Sequence, residues 1–396
     1  MKRKNWIGSA CCVLLAVAAC EKLDDDRTFH VPDEKESLFT LEDVAHLLAT
    51  VPVEAEQLAE VHAAVSASSG NGYDEEYTMQ DVFTAPGAGV GDAGASRSPD
   101  AYSQPLRDLL REAVRRQFAF TRAGEGEQTD AEAFLEALAA SDVQIYWPYS
   151  ELWTETPDRP VITFDPGDNS VRNTGYRLRE DGSVEELLVD EQMALERPVW
   201  VVNRNADAEF KSLEMRRRED PDWGKGGGEI IVRTRADDES FKTLVLRSFQ
   251  ANRNYDSWFA GGSEFFVKCG AIEDFTATTE AELRLYTPSV TDFLIVVRRS
   301  QVGKALPFNA ILVSEWSGML DNCAFMVTED DGGTQTSWKC AATVKYNSKS
   351  YGFDIEMPLR SRDDIVWRGA LTRSYIEKYA GTVGHFGDVD LVLELI

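Results

Sequence analysis

Two hydrophobic periodicities divide the chain near residue 141. Apolar residues recur every three to four positions before it and every second position in many short runs after it. The first spacing is that of one helix face and the second that of one strand face. We therefore predict an α+β protein, with a small helical region at residues 38–141 followed by antiparallel β-rich structure.

Start and stop residues frame the predicted helices. Thr40 can cap the first helix, and Pro52 ends it. Residues 69–72, Ser-Gly-Asn-Gly, break a second helix, and Thr129 can cap the last one. Between them lies the most regular apolar stripe, with arginines on its other positions: Leu106, Leu109, Leu110, Val114 and Phe118.

Turn residues separate the predicted strands. Residues 142–215 form short runs between Pro, Gly, Asp and Asn, which predicts a small β-rich domain. The polar, glycine-rich stretch 216–228 predicts a boundary, and residues 229–396 predict an antiparallel β-sandwich, interrupted by a short helix near 373–379. The last run alternates between inward Val389, Leu391, Leu393 and Leu395 and outward Asp388, Asp390 and Glu394.

The first twenty residues carry the most specific motif. Lys2, Arg3 and Lys4 precede an uncharged apolar stretch that ends Val-Ala-Ala-Cys at Cys20. This pattern is typical of a secretory signal peptide, and the stretch is shorter than the roughly 17–25 residues of a spanning helix. Its end resembles the lipobox of bacterial lipoproteins. The resemblance implies that residues 1–19 are removed and that Cys20 carries fatty acyl chains; the alternative is an ordinary signal peptide with an incidental cysteine.

Residues 20–37 predict a lipidated acidic tether. It begins Glu-Lys-Leu-Asp-Asp-Asp at residues 21–26, which resembles the export signal of surface lipoproteins in Bacteroidota. The resemblance implies an outer-membrane protein that is displayed on the cell surface. The alternative is an outer-membrane lipoprotein that faces the periplasm, because charge alone indicates only a solvated tether. Over its full length the chain resembles the many uncharacterised lipoproteins of these bacteria.

Charge narrows the classes of partner. The formal net charge is −27, and removing residues 1–19 with their three basic residues makes it −30. Such a chain repels phosphate backbones, which argues against nucleic acid as a partner. Cations, basic proteins and neutral sugars remain compatible with it.

Besides the lipidated Cys20, three cysteines remain in the predicted mature chain: Cys269, Cys323 and Cys340. They form no CxxC motif or Cys/His cluster, which argues against structural zinc. Cys323 and Cys340 are equally distant from the turn of an apparent hairpin at residues 329–334, so regular pairing would place them face to face. A disulfide and two buried core thiols fit this pattern equally well. Cys269 lies on an apolar strand face and is predicted to be a free core thiol.

Catalytic motifs are missing from the sequence. The four histidines form no HExxH, no serine lies in GxSxG, and the glycine-rich stretches 87–91 and 224–228 lack the context of nucleotide-binding loops. The aromatic segment 146–153 could stack sugars, although packing between domains is the preferred interpretation. We expect a non-enzymatic protein that binds an extracellular protein or glycan. The alternatives are an outer-membrane-anchored hydrolase of glycan or peptide and an envelope assembly subunit.

Acidic residues cluster in two predicted loops of the sandwich. Asp256 precedes one strand, and Glu329, Asp330 and Asp331 tip a hairpin. This placement over residues 241–396 resembles C2-type β-sandwiches, in which acidic loops at one end gather calcium. Calcium takes six to eight oxygen ligands, so the resemblance implies a metal site at these four residues. Ordinary hairpin-turn chemistry explains the same acids equally simply.

Overall fold

The structure is a computed structural model, and it describes residues 38–84, 104–121, 127–168, 170–205, 210–219 and 241–396. Cys20, the signal peptide, the tether and both glycine-rich stretches lie outside the described residues. Among the residues that are described, no helix is both long and apolar enough to cross a membrane.

Helices and short strands alternate in the first half. The capping box at Thr40 forms as expected, since Asp43 N donates to Thr40 Oγ1 at 3.1 Å and Thr40 N donates to Asp43 Oδ2 at 2.8 Å. The elements in chain order are α1 (Leu41–Ala49), α2 (Ala55–Gly70), β1 (Glu76–Thr78), α3 (Met79–Phe83), α4 (Pro105–Thr121), α5 (Glu127–Ala139), β2 (Val143–Tyr146), β3 (Val161–Phe164), β4 (Arg172–Leu178), β5 (Val184–Asp190), α6 (Glu191–Glu196), β6 (Val199–Arg204) and α7 (Leu213–Glu219).

The strands build one sheet, with α1–α5 on one face and α6 on the other, whereas Leu213 of α7 packs in the core of the second half. The strand order is β1-β2-β6-β3-β4-β5, and every pair is antiparallel except β3 with β6. Strand β1 comes from within the predicted helical region and pairs with β2. Helix residues such as Leu48 and Leu110 share a core with Ile145 and Trp200 of the sheet. The regions 38–141 and 142–215 therefore form one α/β half.

The second half is an antiparallel β-sandwich. One sheet has the order β10-β7-β16-β15, and the other has the order β13-β12-β11-β8-β9 with β14 beside β11. Its elements are β7 (Lys242–Ala251), β8 (Ser263–Ala271), α8 (Glu280–Leu283), β9 (Ser289–Val297), β10 (Leu306–Trp316), β11 (Leu320–Glu329), β12 (Gln335–Tyr346), β13 (Lys349–Arg360), β14 (Asp364–Thr372), α9 (Arg373–Tyr379), β15 (Val383–Phe386) and β16 (Val389–Leu395). The α+β class and the predicted sandwich are confirmed.

Apolar side chains from both sheets fill the sandwich. Val389, Leu391 and Leu393 of β16 are buried, as their alternation predicted. The rings of Phe249 in β7 and Phe265 in β8 lie 5.2 Å apart between centroids. This two-layer core holds the loops at each end of the sandwich in place.

The predicted register of the cysteine hairpin is wrong. Strand β11 pairs with β12 only near Leu320 and Asn322; the rest of its ladders are with β14 and β8. Cys323 consequently lies opposite Leu371, and Cys340 lies opposite Ile355. The three cysteines among the described residues are free thiols, and Cys269 is buried as expected.

The reason for this register is the path of the β12–β13 hairpin. Ile355 and Met357 of β13 lie against β8 at Gly270, where a Cβ would come within 2.9 Å of Ile355 Cγ2. On the same stretch of β8, Lys268 Nζ donates to the carbonyl of Pro358 at 2.7 Å. The hairpin thus packs across β8 and leaves the edge of β11 to β14.

Candidate functional site

The site starts with residues 252–262, which we call the junction loop, between β7 and β8. Tyr255 N donates to Ser263 Oγ at 2.7 Å, and Asn254 Nδ2 donates to the carbonyl of Gly261 at 3.3 Å. These bonds close the loop on itself. They hold Asp256 next to the start of β8.

Three carboxylates meet there: Asp256 of the junction loop, Glu264 of β8 and Glu329 of β11. One oxygen from each lies within 4.8 Å of the others. The strand register explains this meeting, because Glu329 pairs with Phe265 and the N–H of Asp330 donates to the carbonyl of Glu264 at 3.0 Å. We call these three residues the carboxylate cluster.

Glu329 is the most constrained member of the cluster. Its side chain is 0 % exposed, no N–H group or hydroxyl in the described part of the chain donates to either carboxyl oxygen, and the polar group beside it is the Asp256 carboxyl. Asp256 Oδ2 is buried in the same way. A buried carboxylate without partners is strongly destabilising, so the cluster must take up either protons or a cation.

The pKa values of the cluster also indicate that it needs a proton or a cation. Burial and the neighbouring Asp256 carboxylate raise the pKa of Glu329 to about 11. Burial also raises the pKa of Asp256 to about 6. The negative charge of Asp331 raises both pKa values further. Without a bound cation, the cluster therefore holds at least one proton at neutral pH.

The structure unites two of the four predicted ligands, Asp256 and Glu329. Asp330 is directed elsewhere: Oδ1 accepts a backbone N–H two residues later at 2.9 Å, and Oδ2 lies 3.4 Å from Nη1 of Arg360. Asp331 is exposed and contributes charge to the cluster. Asp330 and Asp331 thus fall outside the group of carboxylates that meet.

Glu264 was not predicted as a ligand. It lies at the start of a strand, where an acidic residue is ordinarily solvated, and only the pairing of β8 with β11 brings it to Glu329. A sequence signal did exist at Glu329, which continues the inward alternation of Phe325 and Val327. A charged residue at an inward position is a sign of a special environment.

The donor set favours a hard cation. It consists of carboxylate oxygens, which suit calcium or magnesium and not the nitrogen and sulfur sites of zinc. Calcium binds oxygens at about 2.3–2.6 Å, so opposite ligands stand about 4.6–5.2 Å apart. Three carboxylate oxygens that all lie within 4.8 Å of one another are close enough to contact one calcium ion. Water or backbone carbonyls would complete the coordination.

The predicted aromatic segment packs inside the protein. Tyr146 is 0 % exposed and Trp147 is 2 % exposed. The ring of Trp147 contacts those of Trp153 and Trp200, with centroids 5.5 and 6.0 Å apart. Buried rings cannot stack on a sugar, so the packing interpretation is supported for Tyr146 and Trp147, whereas Tyr149 and Trp153 are partly buried.

A second carboxyl pair lies between the two halves. Glu75 is 1 % exposed, and its Oε1 accepts a hydrogen bond from Ser150 Oγ at 2.9 Å. Burial and the nearby Glu151 raise the pKa of Glu75 to about 9. Arg298 lies 3.9 Å away. This arrangement is a buried, proton-holding contact between elements of the fold.

Comparison with known protein families, with curated proteins and with solved structures finds no match for this chain. No relative therefore suggests a ligand or a reaction. The chemistry of the carboxylate cluster is the strongest functional indication among the described residues.

Proposed function

We propose that the protein is a lipid-anchored binding protein of the bacterial outer membrane whose β-sandwich holds a divalent cation, calcium by its ligand chemistry. The lipobox-like sequence at Cys20 and the acidic residues after it support the anchor and surface display. Asp256, Glu264 and Glu329 are the cation ligands. The cation stiffens one end of the sandwich, and an extracellular protein or glycan is the partner.

One observation is the main support for the proposed cation site. Glu329 is fully buried, no N–H group or hydroxyl in the described part of the chain donates to its carboxyl oxygens, and two other acids lie beside it. Mutual repulsion of buried like charges is removed when a cation binds between them. A single shared proton would neutralise only part of the charge.

Calcium fits this location better than magnesium. Magnesium demands near-ideal octahedral geometry and keeps most of its water, whereas calcium accepts irregular oxygen sets. Calcium sites of extracellular modules have dissociation constants of about 10⁻⁴ to 10⁻³ M, and we expect a value in that range. The net charge of the mature chain also attracts cations to its surface.

Calorimetric titration of the unlipidated mature chain with calcium chloride tests the proposal. The matched control is Glu356→Gln, which removes one negative charge from an exposed residue on β13 that pairs with Lys339 at 3.5 Å. We expect one calcium per chain, binding at least about tenfold weaker in Glu329→Gln and Asp256→Asn, and unchanged in the control. A folded wild-type chain without saturable calcium binding would refute the site.

The second candidate is an outer-membrane-anchored hydrolase. It is favoured by the carboxyl pair of Glu75 and Glu151, since acid–base catalysis uses two carboxyls with different pKa values. Substrate would have to reach Glu75, which is 1 % exposed. A cavity of about 240 Å³ is lined by Thr276, Glu282, Leu285 and Tyr286, and neither Glu75 nor Glu151 lines it. The binding function is therefore preferred.

A further inference from the structure

We infer that the cation also stabilises the contact between the α/β half and the β-sandwich. One of the cation ligands, Asp256, belongs to the junction loop, which connects β7 and β8 of the sandwich and packs against the α/β half. This inference rests on the proposed calcium site. Asp256 binds the cation through its side chain, and Trp258 and Phe259 of the same loop pack on one face of the first sheet.

Two aromatic side chains anchor the junction loop in the α/β half. Trp258 is 4 % exposed and Phe259 is 0 % exposed. They pack in one apolar cluster with Tyr146, Val199 and Val201, on the face of the first sheet opposite α1–α5. The loop therefore supplies part of the hydrophobic cover of a sheet that belongs to the other half.

Hydrogen bonds fasten the same loop at several points. Asn203 Nδ2 of β6 donates to the carbonyls of Phe259 at 3.1 Å and Ala260 at 2.7 Å. The N–H of Gly262 donates to Asp74 Oδ2 at 2.6 Å. A Cβ at Gly262 would lie 2.6 Å from a carbonyl oxygen of β9, so this close approach requires glycine. The junction loop therefore makes close contacts with both halves.

Asp256 connects these anchors to the carboxylate cluster. Its side chain faces Glu329 of the sandwich, and its carbonyl accepts a hydrogen bond from Arg299 Nη1 at 3.3 Å. Arg299 Nε in turn donates to Glu191 of the α/β half at 2.6 Å. Trp258 follows only two residues later, within about 7 Å of chain. Any displacement of Asp256 is consequently transmitted to the contact between the halves.

Cation binding and the junction therefore stabilise each other. Without the cation, the proton that the cluster holds offsets only part of the repulsion among the three carboxyl groups, so the Asp256 side chain and the loop are held less firmly. With the cation, Asp256 is held at the sandwich, and Trp258 stays packed on the face of the first sheet. Because such coupling is reciprocal, weakening the insertion must also weaken calcium binding.

Hydrogen–deuterium exchange of the mature chain, with and without calcium chloride, tests this coupling. We expect calcium to slow exchange about tenfold in residues 252–262 and in β6, and the effect to vanish in Glu329→Gln. Trp258→Ala should bind calcium about three- to tenfold more weakly and show no calcium effect in β6. The control Tyr379→Ala, which changes an exposed ring on α9, should behave as wild type.

The outcomes separate this inference from the proposed function. Calcium that binds by calorimetry but leaves exchange in β6 unchanged would overturn the inference and leave the cation site standing. Unchanged calcium affinity in a folded Trp258→Ala variant would overturn it equally. A chain that binds no calcium would overturn both.

Discussion

The carboxyl groups of Asp256 and Glu329 lie side by side at one end of the sandwich, and burial raises the pKa of both. Two acids so placed are unfavourable unless a proton or a cation stands between them. Because the junction loop carries Asp256 and β11 carries Glu329, the species that occupies this position influences the contact between the α/β half and the sandwich.

Glu329→Gln should change stability in opposite directions with and without calcium. In calcium-free buffer the substitution replaces a buried carboxyl group that must hold a proton with an amide that needs none, so the melting temperature should equal or exceed that of wild type. Calcium at ten times its dissociation constant should stabilise wild type by about 1.4 kcal/mol, which is a few degrees, and should leave the variant unchanged. Differential scanning calorimetry in EDTA and in calcium measures both. A variant that melts lower in EDTA and still responds to calcium would contradict the assignment.

Glu75 should make the protein less stable as pH rises. Its pKa is raised from 4.5 to about 9 by burial, so the folded state binds a proton that the unfolded state has lost between these values. Stability from this group is full below about pH 4.5 and is lost toward pH 9, by up to about 1.4 kcal/mol per pH unit. Urea unfolding at about pH 6 and about pH 9 should show a smaller loss for Glu75→Gln than for wild type or Glu356→Gln. Equal losses in all three proteins would count against a buried, protonated Glu75.

Gly270 should tolerate no side chain. A Cβ there would lie 2.9 Å from Ile355 Cγ2 and 3.2 Å from Met357 Sδ, within the packing of the β12–β13 hairpin on β8. We expect Gly270→Ala to destabilise the fold by about 1–3 kcal/mol. The control is Gly352→Ala in the same hairpin, where a Cβ meets no atom within 4 Å. Chemical denaturation compares them, and equal midpoints would refute the described packing.

Cys20 should determine where the protein resides. In the native host, Cys20→Ser should lose the lipid and release the chain from the membrane fraction, since stable anchoring requires acyl chains. Protease treatment of intact cells should degrade wild type at the surface and spare a periplasmic control. Protection of the wild type on intact cells, combined with cleavage after lysis, would place the protein on the periplasmic face.

Local patterns predicted the architecture well. The period of the apolar residues distinguished helical from β structure, and Thr40 and the alternation in β16 behaved as expected. These features depend on neighbours in sequence, which the sequence displays directly.

Pairings between distant strands could not be predicted in this way. The assumption that β12 follows β11 as a regular hairpin misplaced Cys323 and Cys340, because β14 takes that edge of β11. The same limitation hid Glu264, which joins Glu329 through the β8–β11 ladder. For the same reason, the packing of Trp258 on a sheet of the α/β half could not be predicted. Each of these depends on tertiary contacts that local periodicity does not encode.

The central claim is that one divalent cation lies among Asp256, Glu264 and Glu329. The most direct measurement is an anomalous difference map from crystals of the mature chain grown with calcium, or with terbium in its place. We expect one strong peak with an oxygen of each carboxylate at about 2.3–2.6 Å. No peak there, with Asp256 and Glu329 joined instead by a short hydrogen bond through a shared proton, would contradict it.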